Sequence, residues 1–168
     1  MTGRNEREAT MKDGLRRLQQ VSYVTNDLER ALAVFRDVYG VHDFMDTGRV
    51  TFTMGSGEVV DFRVALAYVG EMQFEIIEPI GGDVECYREV LTQDGSFAIR
   101  FHHLSFRARS RDEIETLKQA ARDSGHPLGY TGTFGDSAFF YADARGRLGH
   151  FLEYTYTDPA YDAALPRN

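Results

Sequence analysis

Phe101-His102-His103-Leu104-Ser105-Phe106 is the stretch on which the reading of this chain turns. Residues 101, 103 and 105 alternate with 102, 104 and 106, which is the two-residue period of a β-strand. Histidine has no special preference for strands, so a pair of them opening one needs another reason. Strict alternation sends His103 to one face and His102 to the other, where His102 would back the site or pack. An imidazole turned into a fold needs a partner at each nitrogen. A metal ion at one nitrogen and a protein acceptor at the other would meet that need.

The same pattern stands near the start of the chain, where Gln20-Val21-Ser22-Tyr23 matches His103-Leu104-Ser105-Phe106. Each copy opens a strand, at 19–25 and at 102–109. A helix follows each. Asn26 or Asp27 caps the first, whose stripe is Leu28, Ala31, Leu32, Phe35 and Val38, and Gly40 ends it. Ser110 caps the second, with Glu113 completing a capping box, Ile114, Leu117, Ala120 and Ala121 as its stripe, and Gly125 at its end. Further strands are expected at 49–54, 59–69 and 72–78 in the first half, and at 131–134, 137–143 and 150–157 in the second. Gly55-Ser56-Gly57 is a turn rather than a phosphate loop, and Pro79 is expected to close the strand before it.

Each half ends in a strand with a central glutamate, Phe74-Glu75-Ile76 and Leu152-Glu153-Tyr154. Gln20 to Glu75 spans 55 residues and His103 to Glu153 spans 50. The fold class expected is α+β: paired βαβββ modules, related by a pseudo-two-fold axis, in one curved, half-barrel-like mixed sheet around a metal site. The divisions are an N-terminal arm at 1–17, a domain at 18–157 with modules at 18–80 and 100–157, and a loose C-terminal tail at 158–168. Between the modules, 80–99 is a connector with a short helix at 83–91.

Composition removes several classes of function. A hydrophobic fraction of 42%, with 12 Phe and 9 Tyr, supports a core and argues against disorder. A formal charge of −7 and the lack of any Lys/Arg run argue against nucleic acid as a partner. The single Cys86 excludes an internal disulfide and a cysteine-rich zinc site, and fits a cytoplasmic protein. No stretch approaches the ~20 apolar residues of a membrane helix. The arm carries Arg4, Arg7, Lys12, Arg16 and Arg17 but no apolar segment follows it, so a mobile arm or short added helix is expected rather than a secretory signal.

The repeat places Gln20 with Glu75 and His103 with Glu153 at equivalent positions. If the first and last strands of each module are neighbours, the four meet on the concave face as three oxygens and one nitrogen. That mixed set suits one divalent ion, Zn, Ni, Co, Mn or Fe. A carboxylate central in an apolar strand is costly unless it is paired or coordinated. The competing reading makes Glu75 and Glu153 partners of an arginine such as Arg63, and leaves Gln20 capping a sheet edge. Tyr87 in the connector could reach the cavity, but a surface aromatic is the commoner case.

Four motifs in this order resemble the vicinal oxygen chelate superfamily of glyoxalase I, methylmalonyl-CoA epimerase, extradiol dioxygenases and bleomycin-resistance proteins. They are Gln20-Val-Ser-Tyr-Val-Thr-Asn-Asp-Leu-Glu-Arg-Ala, Met72-Gln-Phe-Glu-Ile-Ile-Glu-Pro, Phe101-His-His-Leu-Ser-Phe and Leu148-Gly-His-Phe-Leu-Glu-Tyr. The resemblance implies a divalent-metal site at Gln20, Glu75, His103 and Glu153, a small-molecule substrate and a homodimer. It implies proton transfer beside a metal-chelated carbonyl (an isomerase, epimerase or lyase), with Glu153 as the base and Glu75 as ligand or opposing base. Gln20 in the first position, rather than His, is similar to glyoxalase I and counts against the alternative of an Fe(II) ring-cleaving dioxygenase. No match to the glutathione-binding arginines of glyoxalase I stands at Arg36, Arg63 or Arg100. A further alternative is a non-catalytic, drug-sequestering module, and the intact ligand set argues against it.

Overall fold

The computed structural model describes residues 10–168, apart from the side chain of Phe134. Residues 1–9 of the expected arm lie outside the described residues. In chain order the elements are α1 (Met11–Leu15), β1 (Leu18–Thr25), α2 (Leu28–Tyr39), β2 (Met45–Thr53), β3 (Val59–Val69), β4 (Met72–Gly82) and α3 (Glu85–Arg88). Then come β5 (Ile99–Arg107), α4 (Arg111–Asp123), β6 (Leu128–Phe134), β7 (Ser137–Asp143), α5 (Arg145–Leu148), β8 (Phe151–Tyr156) and α6 (Pro159–Ala163). The βαβββ pattern therefore occurs twice, as β1-α2-β2-β3-β4 and β5-α4-β6-β7-β8.

The eight strands form one mixed sheet in the order β2-β3-β4-β1-β5-β8-β7-β6. The first and last strands of each half are parallel neighbours, and the halves join through the antiparallel pair β1 and β5. The sheet curls until its outer edges touch: the Gly55 N–H donates to the Thr131 carbonyl at 2.8 Å, beside a Met54–Gly132 bridge.

The helices cover the convex face. Leu28, Ala31 and Phe35 of α2 pack on Ala65, Ala67 and Ile76 of the first half. Ile114, Leu117 and Ala121 of α4 pack on Phe106, Phe140, Leu152 and Tyr154 of the second. Each large apolar side chain buried this way contributes roughly 1.5–3 kcal/mol. Asp27 caps α2 by accepting from the Arg30 N–H, and Gly40 ends it in the left-handed conformation at φ 72°. At α4, Ser110 accepts from the Glu113 N–H, but Glu113 reaches back to the Arg109 N–H, one residue beyond the box expected.

The structure departs from the sequence reading at several places. β2 starts at Met45 rather than 49. β4 runs through Pro79 to Gly82. Beyond Ile77 it no longer pairs with β1, and a register shift in β3 between Asp61 and Phe62 accommodates the proline, so the missing N–H breaks no central ladder. The tail is not loose. Asp158 caps α6, Leu165 is buried with Leu66 and Tyr68, and the Tyr68 N–H donates to the Pro166 carbonyl at 2.8 Å. Two prolines made this segment read as a loose end, but Leu165 and the free ladder edge of β3 beyond Met45 give it somewhere to dock.

Candidate functional site

Register brings the four expected ligand positions onto the concave face. Gln20 faces Gln73 and Ser22 faces Glu75 across β1/β4; Ser105 faces Glu153 across β5/β8. Across the central pair, Ser22 is opposite His103 and Gln20 is opposite Ser105.

Two register shifts interrupt that central pair at symmetric places. Between Leu18 and Gln20 the partner advances one residue, and between Ser22 and Tyr23 it advances two, so Gln19 and His102 are extra residues in their strands. A bulge of this kind re-aims the side chain beside it. His102 is therefore not sent to the far face by alternation: its Nδ1 lies 2.8 Å from Nδ1 of His103, and both rings are buried. The doubled residues Gln19-Gln20 and His102-His103 were the sequence signal for the two bulges.

These contacts assign the ring protons. Nε2 of His102 is 3.1 Å from the Cys86 carbonyl, which can only accept, so that nitrogen carries hydrogen. Burial, reinforced by the neighbouring His103, keeps the pKa of His102 well below its ordinary value and the ring neutral. Its Nδ1 is then a bare acceptor, and Nδ1 of His103 donates to it. Tyr87 stacks on His102 with centroids 4.6 Å apart and donates its hydroxyl to that of Tyr141 at 2.9 Å. Tyr87 is thus buried and lines the cavity, the less common of the two positions open to it, because the connector folds back over the bulge.

Nε2 of His103 is left facing the cavity floor. It is buried, makes no hydrogen bond, and stands 3.4 Å from a Glu75 oxygen and 3.5 Å from a Glu153 oxygen. A bare lone pair against two carboxylates is repelled, so the geometry calls for a proton or a metal ion there. As a protonated ring, His103 is pulled down by burial and raised by the charges of Glu153 and Glu75, which prevail and bring its pKa to about 9. Burial pushes the Glu153 carboxyl up, but the charge of His103 and the hydroxyls of Ser105 and Thr155 hold it below the usual range.

The residues also fit a metal ion pairwise. Two ligand atoms each about 2.1 Å from an ion at a tetrahedral angle stand about 3.4 Å apart. Among the described residues, however, no group of three or more His, Cys, Asp or Glu side chains is placed so that it could hold a metal ion as it stands. Gln20, the fourth expected ligand, is buried and spends its amide N–H on the Gln73 oxygen, leaving its own carbonyl oxygen outside that bond. Gln73 and Gln19 were not singled out in the sequence. Gln19 donates to the Ser105 hydroxyl at 3.3 Å, and its Oε1 is buried without a partner. Arg63 does not approach either glutamate of the site: it pairs with Glu29 of α2, Asp46 of β2 and Glu78 of β4.

Above this floor lies a cavity of about 400 Å³. Val50, Phe52, Phe62, Val64, Leu66 and Ile77 wall it on the first half, and Phe139, Tyr141 and Thr155 on the second, with Tyr161 of α6 at one side.

The family model described as Glyoxalase/Bleomycin resistance protein/Dioxygenase superfamily matches residues 19–140. The chain belongs to that superfamily. Solved structures agree with this glyoxalase-superfamily assignment at the level of the fold. A Streptomyces coelicolor methylmalonyl-CoA epimerase, in complex with 2-nitronate-propionyl-CoA, is 16% identical over 84% of this chain and 96% of that one, with a TM-score of 0.57. The Mycobacterium tuberculosis methylmalonyl-CoA epimerase is 15% identical over 88% and 92%, also at 0.57. A hypothetical protein from Bacillus halodurans is 14% identical over 84% and 94%, at 0.53. Comparison with curated proteins returns no match. No helix of the described residues is long and apolar enough to cross a membrane.

Proposed function

We propose that this glyoxalase-superfamily protein is a divalent-metal-dependent enzyme that moves a proton on a carbon beside a carbonyl, as an isomerase, epimerase or lyase of a small organic substrate. The observation that carries the reading is Nε2 of His103: buried, unbonded, its other nitrogen committed to His102, and aimed between two carboxylates. His103, Glu75, Glu153 and the carbonyl oxygen of Gln20 would hold the ion. A bound divalent ion supplies Lewis acidity that stabilises negative charge on a substrate oxygen.

The chain's own residues do the rest. Glu153 takes the proton, and Glu75 stands as the second carboxylate beside it. Carboxylates on two sides of a carbon suit epimerisation, and one suffices for isomerisation or elimination. The apolar walls keep bulk water from the reacting end. The epimerases among the structural neighbours support this class of chemistry through the fold.

A second reading, a binding protein without catalysis, is favoured by one observation. A protonated His103 neutralises much of the charge of Glu75 and Glu153 without any metal. Elemental analysis of the protein as isolated separates the two. The enzyme reading expects about one Zn, Ni, Co, Mn or Fe per chain, lost in His103→Ala. A protein that holds no metal, and whose Tm does not move when those ions are added, supports the second reading and sinks the first. On an identified substrate, Glu153→Gln is expected to lower turnover by about 100-fold or more while the variant stays folded.

A further inference from the structure

The cavity is unusual in its charges. Among the described residues, every Asp, Glu, Lys or Arg that lines it is acidic: Asp46, Glu75 and Glu153. Asp46 is already paired, 2.7 Å from Arg63, whose guanidinium stays outside the lining. Glu75 and Glu153 are turned to His103 at the floor. No Lys or Arg lines the cavity among the described residues, and the remaining wall is largely apolar, with the aromatic rings of Phe52, Phe62 and Phe139 above the floor.

An anionic group entering such a space gives up its water and finds the one cation at the floor, the His103 ring, already held between Glu75 and Glu153, so it meets a net charge of its own sign. A volume of about 400 Å³ is within the range that holds a small cyclic molecule. We propose that the cavity selects an uncharged, aromatic-bodied ligand whose oxygen atoms are gathered at one end, beside Glu75 and Glu153, and that it rejects small carboxylates. This inference rests on the reading above for where the reacting end of the ligand lies. The charge of the walls is a separate observation and has its own test.

Two isosteric probes, 1-naphthalenemethanol and 1-naphthoate, differ in charge and little in shape. Their binding to the full-length protein is measured after dialysis against a chelator, so that no ion can ligate the carboxylate. The alcohol is expected to bind, and naphthoate about tenfold or more weaker. Val50→Arg sets a cation on the cavity wall from the edge strand β2, where a long side chain can reach toward water, and is expected to narrow that ratio. Thr47→Lys on the same strand serves if Val50→Arg does not fold.

Naphthoate binding as tightly as the alcohol, neither probe binding, or an unchanged ratio in a folded cationic variant would each overturn the inference. A parallel titration with Zn²⁺ and Mn²⁺ alone tests the metal. If neither ion binds but the ranking of the probes holds, the enzyme reading fails and the ligand class stands.

Discussion

The two halves of the sheet offer the same backbone positions with different chemistry. In the first, Gln20 and Ser22 on β1 face Gln73 and Glu75 on β4, and the two amides bond to each other. In the second, His103 and Ser105 on β5 neighbour Phe151 and Glu153 on β8, and the imidazole is wired through His102 to the Cys86 carbonyl. One corner is a neutral amide pair and the other is ionic. Duplication of a βαβββ unit thus leaves a symmetric scaffold, while the site depends on where the copies have diverged. His103 can carry a positive charge, and its twin Gln20 cannot.

The termini differ in the same crossed manner. The N-terminal α1 docks on the second half, where Arg17 pairs with Glu113 at 2.7 Å and its carbonyl accepts from the Arg107 N–H. Gly14 lets α1 come that close, since a Cβ there would lie 2.5 Å from the ring of Tyr154. The C-terminal segment docks on the first half, through Leu165, Tyr68 and the side chain of Asn168 on the amides of His42 and Asp43. Each module is clamped by the end of the chain that is farther from it in sequence, which ties the two into one unit.

Four experiments can break or sharpen this contrast, in falling order of effect. His103→Ala leaves Glu75 and Glu153 without their counter-charge and should cost the chelated protein roughly 3–5 kcal/mol in urea unfolding. Gln20→Ala should cost only about 1 kcal/mol, so equal losses would erase the distinction between the two corners. Truncation after Asp158 removes the buried Leu165 and the wall residue Tyr161, and should cost about 2–3 kcal/mol. A truncated protein as stable as the full chain would mean that the clamp on the first half is idle.

His102→Phe removes the acceptor for Nδ1 of His103 while keeping a ring against Tyr87. It is expected to weaken Zn²⁺ binding about 10–100-fold by calorimetry, and an unchanged affinity would show that the relay does not orient the ligand.

The smallest effect concerns pH. Burial raises the Glu113 carboxyl, but Arg17 and the Arg109 N–H lower it more, so its folded pKa lies below the unfolded one. Its contribution is therefore complete above the unfolded value and lost as pH falls through the folded one. Arg17→Ala should flatten stability on the acid limb by about 1 kcal/mol or less, seen in unfolding curves between about pH 5 and 3. An unaltered acid limb would remove the pair from the account of how α1 is held.

Much of the fold was legible because it rests on local pattern. Val21/Tyr23 against Gln20/Ser22 marked the two faces of β1, and the stripes of α2 and α4 matched the sides they bury except at Val38, which ends α2's stripe exposed to solvent. Glu75 and Glu153 stood out because a carboxylate in an apolar strand is costly without a partner. Gln73 was harder to see: an amide two residues before Glu75 reads as an ordinary strand residue until Gln20 is found opposite it.

The sequence by itself determined the duplicated βαβββ order, the inward faces of its strands and the candidacy of Gln20, Glu75, His103 and Glu153, since period, capping and the cost of buried charge are properties of neighbours along the chain. Only the tertiary structure decided that His102 turns to the same side as His103, that Tyr87 closes over it, that the tail docks, and that among the described residues no Lys or Arg lines the cavity. A bulge is a mismatch between two strands and a cavity is walled by both halves, so neither exists until distant segments have paired.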